Sequence, residues 1–243
     1  MKAQNVGLVA ADDAYARRHG VQRAYELWAE TYDAATNPVL ALEERILGPM
    51  LPSLGGKLIL DLGCGTGRWL ARTWSQATSF VGLDVSKAML DRAGAKRGLT
   101  GHLVQADCVH LPLRAEVADV VVGSFLLGYV DAVSLSFELQ RISHEGTDLF
   151  FSEIHEEAVA RGWKRSFRHN GQLVELPVES RSSRQWSEAF RQNGFDLFEK
   201  VEAGFGEAER ASFSKAGKEH YFEQVRGVKA IFVCHFKRGG GIG

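Results

Sequence analysis

Between residues 57 and 152 the chain alternates short apolar runs with amphipathic stretches. Lys57-Leu58-Ile59-Leu60-Asp61-Leu62, Ser79-Phe80-Val81-Gly82-Leu83-Asp84, Gly101 to Ala106, Ala118 to Gly123 and Thr147 to Ser152 are almost continuously apolar and too short for buried helices. Such runs suit strands buried on both faces, as in a parallel sheet. Helical spacing over 66–76 and 86–96, the second opened by Ser86 as a cap, fills the gaps between them. Strands and helices taking turns in this way predict an α/β fold with a doubly wound sheet.

The flanks have a different rhythm. From about 13 to 50 the pattern is helical, with Tyr15, Tyr25, Trp28 and Ala29 among charges, then Leu40, Leu42, Ile46 and Leu47 at helix spacing. Asn37-Pro38 reads as a break and a helix start, and Pro49, Pro52 and Gly55-Gly56 as a stop. Downstream, 184–193 reads as a helix stopped at Gly194, with strands over 195–201 and 228–236 whose pairing order the pattern leaves open. Residues 161–184 are polar, basic and aromatic, and read as an insertion above the sheet. The expected division is a helical N-terminal cap over 1–56 and a second unit over 57–243 that carries a lid insertion at about 156–184, with the glycine tail 239–243 fraying.

Composition narrows the function classes. The 243 residues suit one large domain, and 45% hydrophobic with 24% charged residues is ordinary for a globular protein. A formal charge of −1 supplies no basic field for nucleic acid or anionic lipid. No apolar run reaches the length of a membrane span, and the first residues lack a signal-peptide core, so a cytoplasmic protein is expected. Cysteines at 64, 108 and 234 are too scattered for a disulfide framework or a zinc site, and no metal is expected.

The main chemical signal is Asp61-Leu62-Gly63-Cys64-Gly65-Thr66-Gly67, placed between the first strand and its helix. Glycines there let the backbone turn tightly and let a ligand approach without meeting a Cβ. In an open parallel sheet this turn lies at the strand C-termini, where ligands bind. Asp61 stands directly before the turn, where it would repel a pyrophosphate and attract an ammonium group. At the end of the second strand Asp84 suits two ribose hydroxyls, and after the third Asp107 suits an exocyclic amine. An amino acid joined to an adenosine fits the three carboxylates.

These motifs resemble those of the class I S-adenosylmethionine-dependent methyltransferases, in particular the small-molecule branch often called methyltransferase type 11. The resemblance rests on DLGCGTG at 61–67, GLD at 82–84, ADCVHLPL at 106–113, ADVVVGSFLLGYV at 118–130 and LQRISHEGTDLFFSEIH at 139–155. It implies a Rossmann-like seven-stranded sheet with the last strand antiparallel. It also implies S-adenosyl-L-methionine as cofactor, with S-adenosyl-L-homocysteine as product. The turn Gly63, Cys64, Gly65 and Gly67 would hold the methionine end, Asp84 with Val85 the ribose, and Asp107 with the Cys108 backbone the adenine. Ser124 and Phe125 after the fourth strand, and Tyr32 from the N-terminal segment, complete the expected cofactor site. Two stretches depart from the family pattern: Ser143-His144-Glu145-Gly146-Thr147 replaces a Lys-Pro-Gly-Gly turn, and Ser124-Phe125-Leu126-Leu127 replaces the Pro-Pro-Tyr motif of amide and adenine N-methylating enzymes.

On the acceptor side, His155 directly follows the fifth strand and is the expected general base. Glu153 is expected as a hydrogen-bonding wall residue, and Trp28, Phe125 and Tyr129 divide between pocket and core. Arg161, Lys164, Arg165, Arg168, Arg181 and Arg184 outnumber Glu175 and Glu179, so the insertion could receive an anionic or aromatic small molecule. Methyl transfer to such an acceptor, O-methylation slightly favoured, is the leading expectation, from a monomer or homodimer. A non-catalytic S-adenosylmethionine-binding protein and an NAD-dependent oxidoreductase are the alternatives.

Overall fold

The structure, a computed structural model, describes residues 20–34, 36–179 and 181–239. The expected helix start near residue 13, Tyr15 and the tail beyond Gly239 lie outside the described residues.

The described residues open with helix α1 over 20–28, a 3-10 turn at Tyr32–Ala34 and helix α2 (Pro38–Leu47). Asn37 starts α2 as read from the sequence, its side chain accepting from Val39 N at 3.0 Å with Pro38 in the first turn. The sheet elements follow: β1 (Leu58–Leu62), α3 (Arg68–Thr73), β2 (Ser79–Asp84), α4 (Lys87–Gly94), β3 (Leu103–Gln105) and β4 (Ala118–Ser124). Next come α5 (Ala132–Ile142), β5 (Ser143–Ile154), α6 (Glu156–Ala160), β6 (Ser166–His169), β7 (Gln172–Glu175) and α7 (Ser183–Arg191). The chain closes with β8 (Phe195–Ala203), α8 (Glu207–Lys215), α9 (Glu219–Val225) and β9 (Ile231–Arg238).

Seven strands form one sheet in the order β3-β2-β1-β4-β5-β9-β8. β1 to β5 run parallel, and β9 runs antiparallel to both β5 and β8. The pairing that pattern left open is thus settled: the last strand slots between the fifth and the one before it. Burial follows the pleat. Leu60 and Leu62 of β1, Val121 of β4, and Leu149 and Phe151 of β5 face a core closed by Leu135 and Leu139 of α5 and by Trp186 and Phe190 of α7. Ile59, Val120, Val122 and Phe150 face the opposite core, closed by Leu42 of α2, Leu70 of α3, and Phe213 and Phe222 of α8 and α9. This two-sided burial is why the strands read as continuous apolar runs.

Two parts went unread in the sequence. Residues 207–225 form two helices, and the insertion contains a hairpin, β6 against β7, turning at Asn170 and Gly171 with φ of 49° and 79°. Two residues of that type with positive φ make a hairpin turn that follows the twist of its strands, so the Asn-Gly pair was the available signal. No helix among the described residues is long and apolar enough to cross a membrane.

Candidate active site

The strand order reverses between β1 and β4, and a crevice opens there at the strand C-termini. The turn after β1 forms its floor. Gly63, Gly65 and Gly67 have φ of 64°, 54° and 75°, which side chains seldom adopt. A Cβ at Gly63 would lie 2.9 Å from Leu126 Cδ1, whereas one at Gly65 would meet nothing within 4 Å. Gly63 thus lets the turn pack on β4's end, and Gly65 keeps the crevice side bare. Gly67 faces away, against Leu99 and Ala93, so it shapes the turn and does not line the crevice.

A cavity of about 620 Å³ sits on this turn. Asp61, Gly63, Cys64, Gly65, Asp84, Val85, Asp107, Cys108, Ser124, Phe125 and Tyr32 all lie on its wall. The structure therefore brings together every expected cofactor residue except Gly67. Asp84 is anchored from below: its Oδ2 accepts from Gly65 N and its Oδ1 from Ser86 N, both at 2.8 Å. Burial pushes its carboxyl up, and those backbone donors pull it back. Asp107 accepts from Val109 N at 3.1 Å, which fixes the loop after β3. Burial raises the Cys64 thiol well above its ordinary range, so it is a small, inert wall residue.

Asp61 is the site's electrostatic anomaly. It is 2% exposed, and its Oδ2 is buried with no hydrogen-bond partner. Its carboxyl is pushed up to about 8, first by burial; Arg68 opposes the rise, while Glu43 and Asp84 add to it. A buried acceptor left unsatisfied costs free energy unless something fills it.

Residues that the sequence did not single out support the floor and close the roof. Arg68 donates to Glu43 Oε2 at 2.6 Å, Glu44 Oε1 at 3.0 Å and Ser124 Oγ at 2.8 Å, so one guanidinium joins α2, α3 and β4. Above the cavity, Asp33 accepts from Thr66 Oγ1 at 2.7 Å and pairs with Lys96 at 2.8 Å, and Gln22 donates to Val85 O at 3.1 Å. The N-terminal segment is thereby fastened to the turn it covers. No local pattern carries these pairings, since their partners lie up to 63 positions apart.

Phe125 holds a left-handed φ of 52° at the end of β4, unusual for a bulky residue. Its N–H donates to Ser152 O at 3.0 Å, and its carbonyl accepts from Arg165 at 2.7 Å. Arg165, from the insertion, is ion-paired with Glu153 and lies 5.2 Å from the Phe125 ring centroid and 4.9 Å from that of Tyr129. Glu153 also accepts from Gly128 N at 2.8 Å; it is buried and lines neither cavity, so it holds Arg165 and does not form wall. Tyr25, Tyr32 and Phe125 line the first cavity and also a second, larger one of about 960 Å³ roofed by the insertion. Trp28 lines that second space and stacks on Phe167 at 4.8 Å and 6°, joining cap to hairpin.

The expectation for His155 is corrected. It is 5% exposed and lines neither cavity. Its backbone N–H bonds Ala230 O, which carries it alongside β9, and its Nδ1 accepts from Glu157 N at 3.0 Å as the N-cap of α6. Its Nε2 lies 3.7 Å from Glu202 of β8, away from the crevice. The basic insertion is also more neutralised than its composition suggests: Arg161, Lys164, Arg165 and Arg181 each pair with a glutamate.

Comparison with known proteins agrees with this geometry. Residues 59–146 match a methyltransferase domain. The malonyl-[acyl-carrier protein] O-methyltransferase of Serratia marcescens is 31% identical over 149 residues, a match that covers 60% of this chain and 57% of that protein. The S-adenosylmethionine dependent methyltransferase of Mesorhizobium loti superposes with a TM-score of 0.64 at 24% identity, covering 81% of this chain and 98% of that one. Phosphoethanolamine N-methyltransferase 1 of Haemonchus contortus, solved with phosphoethanolamine and S-adenosylhomocysteine, has a TM-score of 0.68 at 16% identity and covers 95% of this chain and 50% of that one. Residues 59–146, which carry the glycine turn and the acidic strand ends, thus match a methyltransferase domain, the fold is that of S-adenosylmethionine-dependent methyltransferase structures, and the chain spans about half the length of the curated relatives it matches.

Proposed function

We propose that the protein transfers a methyl group from S-adenosylmethionine to the oxygen of a small-molecule acceptor, with residues before 57 as cap and about 156–184 as lid. The observation that carries the reading is Asp61 Oδ2, a buried acceptor atom without a partner on the wall of a glycine-floored cavity. An ammonium group there satisfies it, and Asp84 and Asp107 stand at the two following strand ends for ribose and base. When bound, the cofactor supplies an activated methyl on a sulfonium. The chain's own share is alignment and exclusion of water, through the turn beneath and the fastened cap above. Burial holds the Tyr25 and Tyr32 phenols above their ordinary range, so they act as hydrogen-bond donors on the lining that the two cavities share. With His155 turned away, an acceptor oxygen that arrives ionised needs no base from this chain. The Serratia relative's name, an O-methyltransferase, supports oxygen as the atom.

Calorimetry with S-adenosylhomocysteine tests the reading: one-to-one binding is expected, and no saturable binding would defeat it. Turnover of labelled S-adenosylmethionine on an acceptor panel separates an enzyme from a binding protein. The Asp61 carboxyl adds a pH signature. An ammonium partner favours the carboxylate, so binding at neutral pH expels a proton from a group titrating at about 8. Affinity should rise up to about tenfold per pH unit from about pH 6 to about 8, with proton release visible when buffers of different ionisation enthalpy are compared. Asp61→Asn should flatten that profile. In the ligand-free chain the sign runs the other way. The folded carboxyl sits above its ordinary 3.8, so its stability contribution is full below that value and is lost as pH rises through about 8.

A further inference from the structure

We infer that the 960 Å³ chamber beside the cofactor cavity is built for an anionic amphiphile: a flat or branched apolar body inside, with a negatively charged group at the solvent rim. This rests on the methyltransferase reading and names its acceptor class. The chamber's interior is aromatic and aliphatic, with Trp28, Val39 and Leu40 from the cap, Trp163 and Phe167 from the insertion and Ile154 from β5. Ring faces of that kind offer contact area to an apolar body. Its charged lining is unbalanced. Lys164, Arg165, Arg168 and Lys218 face it against Glu175 alone.

Two of the four cations are spent, because Lys164 pairs with Glu175 at 2.6 Å and Arg165 with Glu153. Arg168 and Lys218 are different. Both are exposed, and neither has an ion-pair partner among the described residues; the Arg168 guanidinium donates once, to Gly171 O at 3.1 Å, leaving further donors. They come from distant parts of the chain, β6 and the residue before α9, yet meet on one chamber. An apolar space with two uncommitted cations at its mouth selects a ligand carrying the matching charge on an apolar frame.

The test uses the full chain saturated with S-adenosylhomocysteine and two fluorescent probes of one shape, anionic 8-anilino-1-naphthalenesulfonate and uncharged N-phenyl-1-naphthylamine. Both should bind the wild-type chain, and salt should weaken only the anionic one. Charge reversal at the two exposed heads, Arg168→Glu with Lys218→Glu, should weaken the sulfonate about tenfold and leave the neutral probe within about twofold. Ser166→Trp, an exposed position on the same lining, should fill the chamber and weaken both. The inference is overturned if charge reversal leaves the sulfonate's affinity unchanged, or if Ser166→Trp leaves both probes bound as before. Loss of S-adenosylhomocysteine binding by the wild-type chain, with the probe pattern intact, would sink the methyltransferase reading and still support an amphiphile site.

Discussion

Asp84→Ala is expected to lower affinity for S-adenosylhomocysteine roughly 100- to 1,000-fold, read by calorimetry on folded protein. The reason is double. On the proposed reading the carboxylate at the end of β2 accepts from two ribose hydroxyls, and charge-assisted bonds of that kind contribute about 1.5–3 kcal/mol each. The same oxygens already accept from Gly65 N and Ser86 N at 2.8 Å, so their loss also frees the centre of the glycine turn. Asp84→Asn retains one acceptor and should lose roughly tenfold. An alanine variant that binds within threefold of wild type would mean that the ribose lies elsewhere.

The second large effect is on stability. Glu43 is fully buried, accepting from Arg68 at 2.6 Å, from Trp69 Nε1 at 3.2 Å and from Ser152 Oγ at 2.8 Å. Glu43→Ala strands a guanidinium that is only 20% exposed and leaves two further donors unpaired. Removing one partner of a buried pair costs about 3–5 kcal/mol, which for a chain of this size lowers the melting midpoint by roughly 6–20 °C. Glu43→Gln retains one acceptor oxygen without the charge and should fall between. A denaturant titration of both variants measures this, and an alanine cost below about 1 kcal/mol would show that Glu44 and Ser124 hold Arg68 unaided.

How much of this was legible in sequence depended on the range of the interaction that decides each part. Strands such as β1, β4 and β5 are buried on both faces by neighbours of either kind, and that leaves a signal in every residue of the run. The glycine turn was readable because its constraint is local: positive φ at 63, 65 and 67 needs glycine whatever surrounds it. The Glu43–Arg68–Ser124 link was not, since its members come from three elements and each alone looks like an ordinary surface residue. His155 shows the limit most clearly. Its position after β5 is plain in the sequence, but its ring is held by the Glu157 amide and its backbone by Ala230, 75 positions on. The insertion misled for a related reason: composition counts charges, and only the fold shows which have already found a glutamate.

Position 125 makes opposed demands on the genetic code. Its left-handed backbone would suit glycine or asparagine, at a saving on the order of 1 kcal/mol, while its ring forms part of the partition between the two cavities. No encoded residue meets both demands. A lineage that drifts toward the easier backbone opens the wall between its two chambers, and one that keeps the wall keeps the strain. The division between the two cavities can therefore be lost at a single codon, with the glycine turn beneath it untouched.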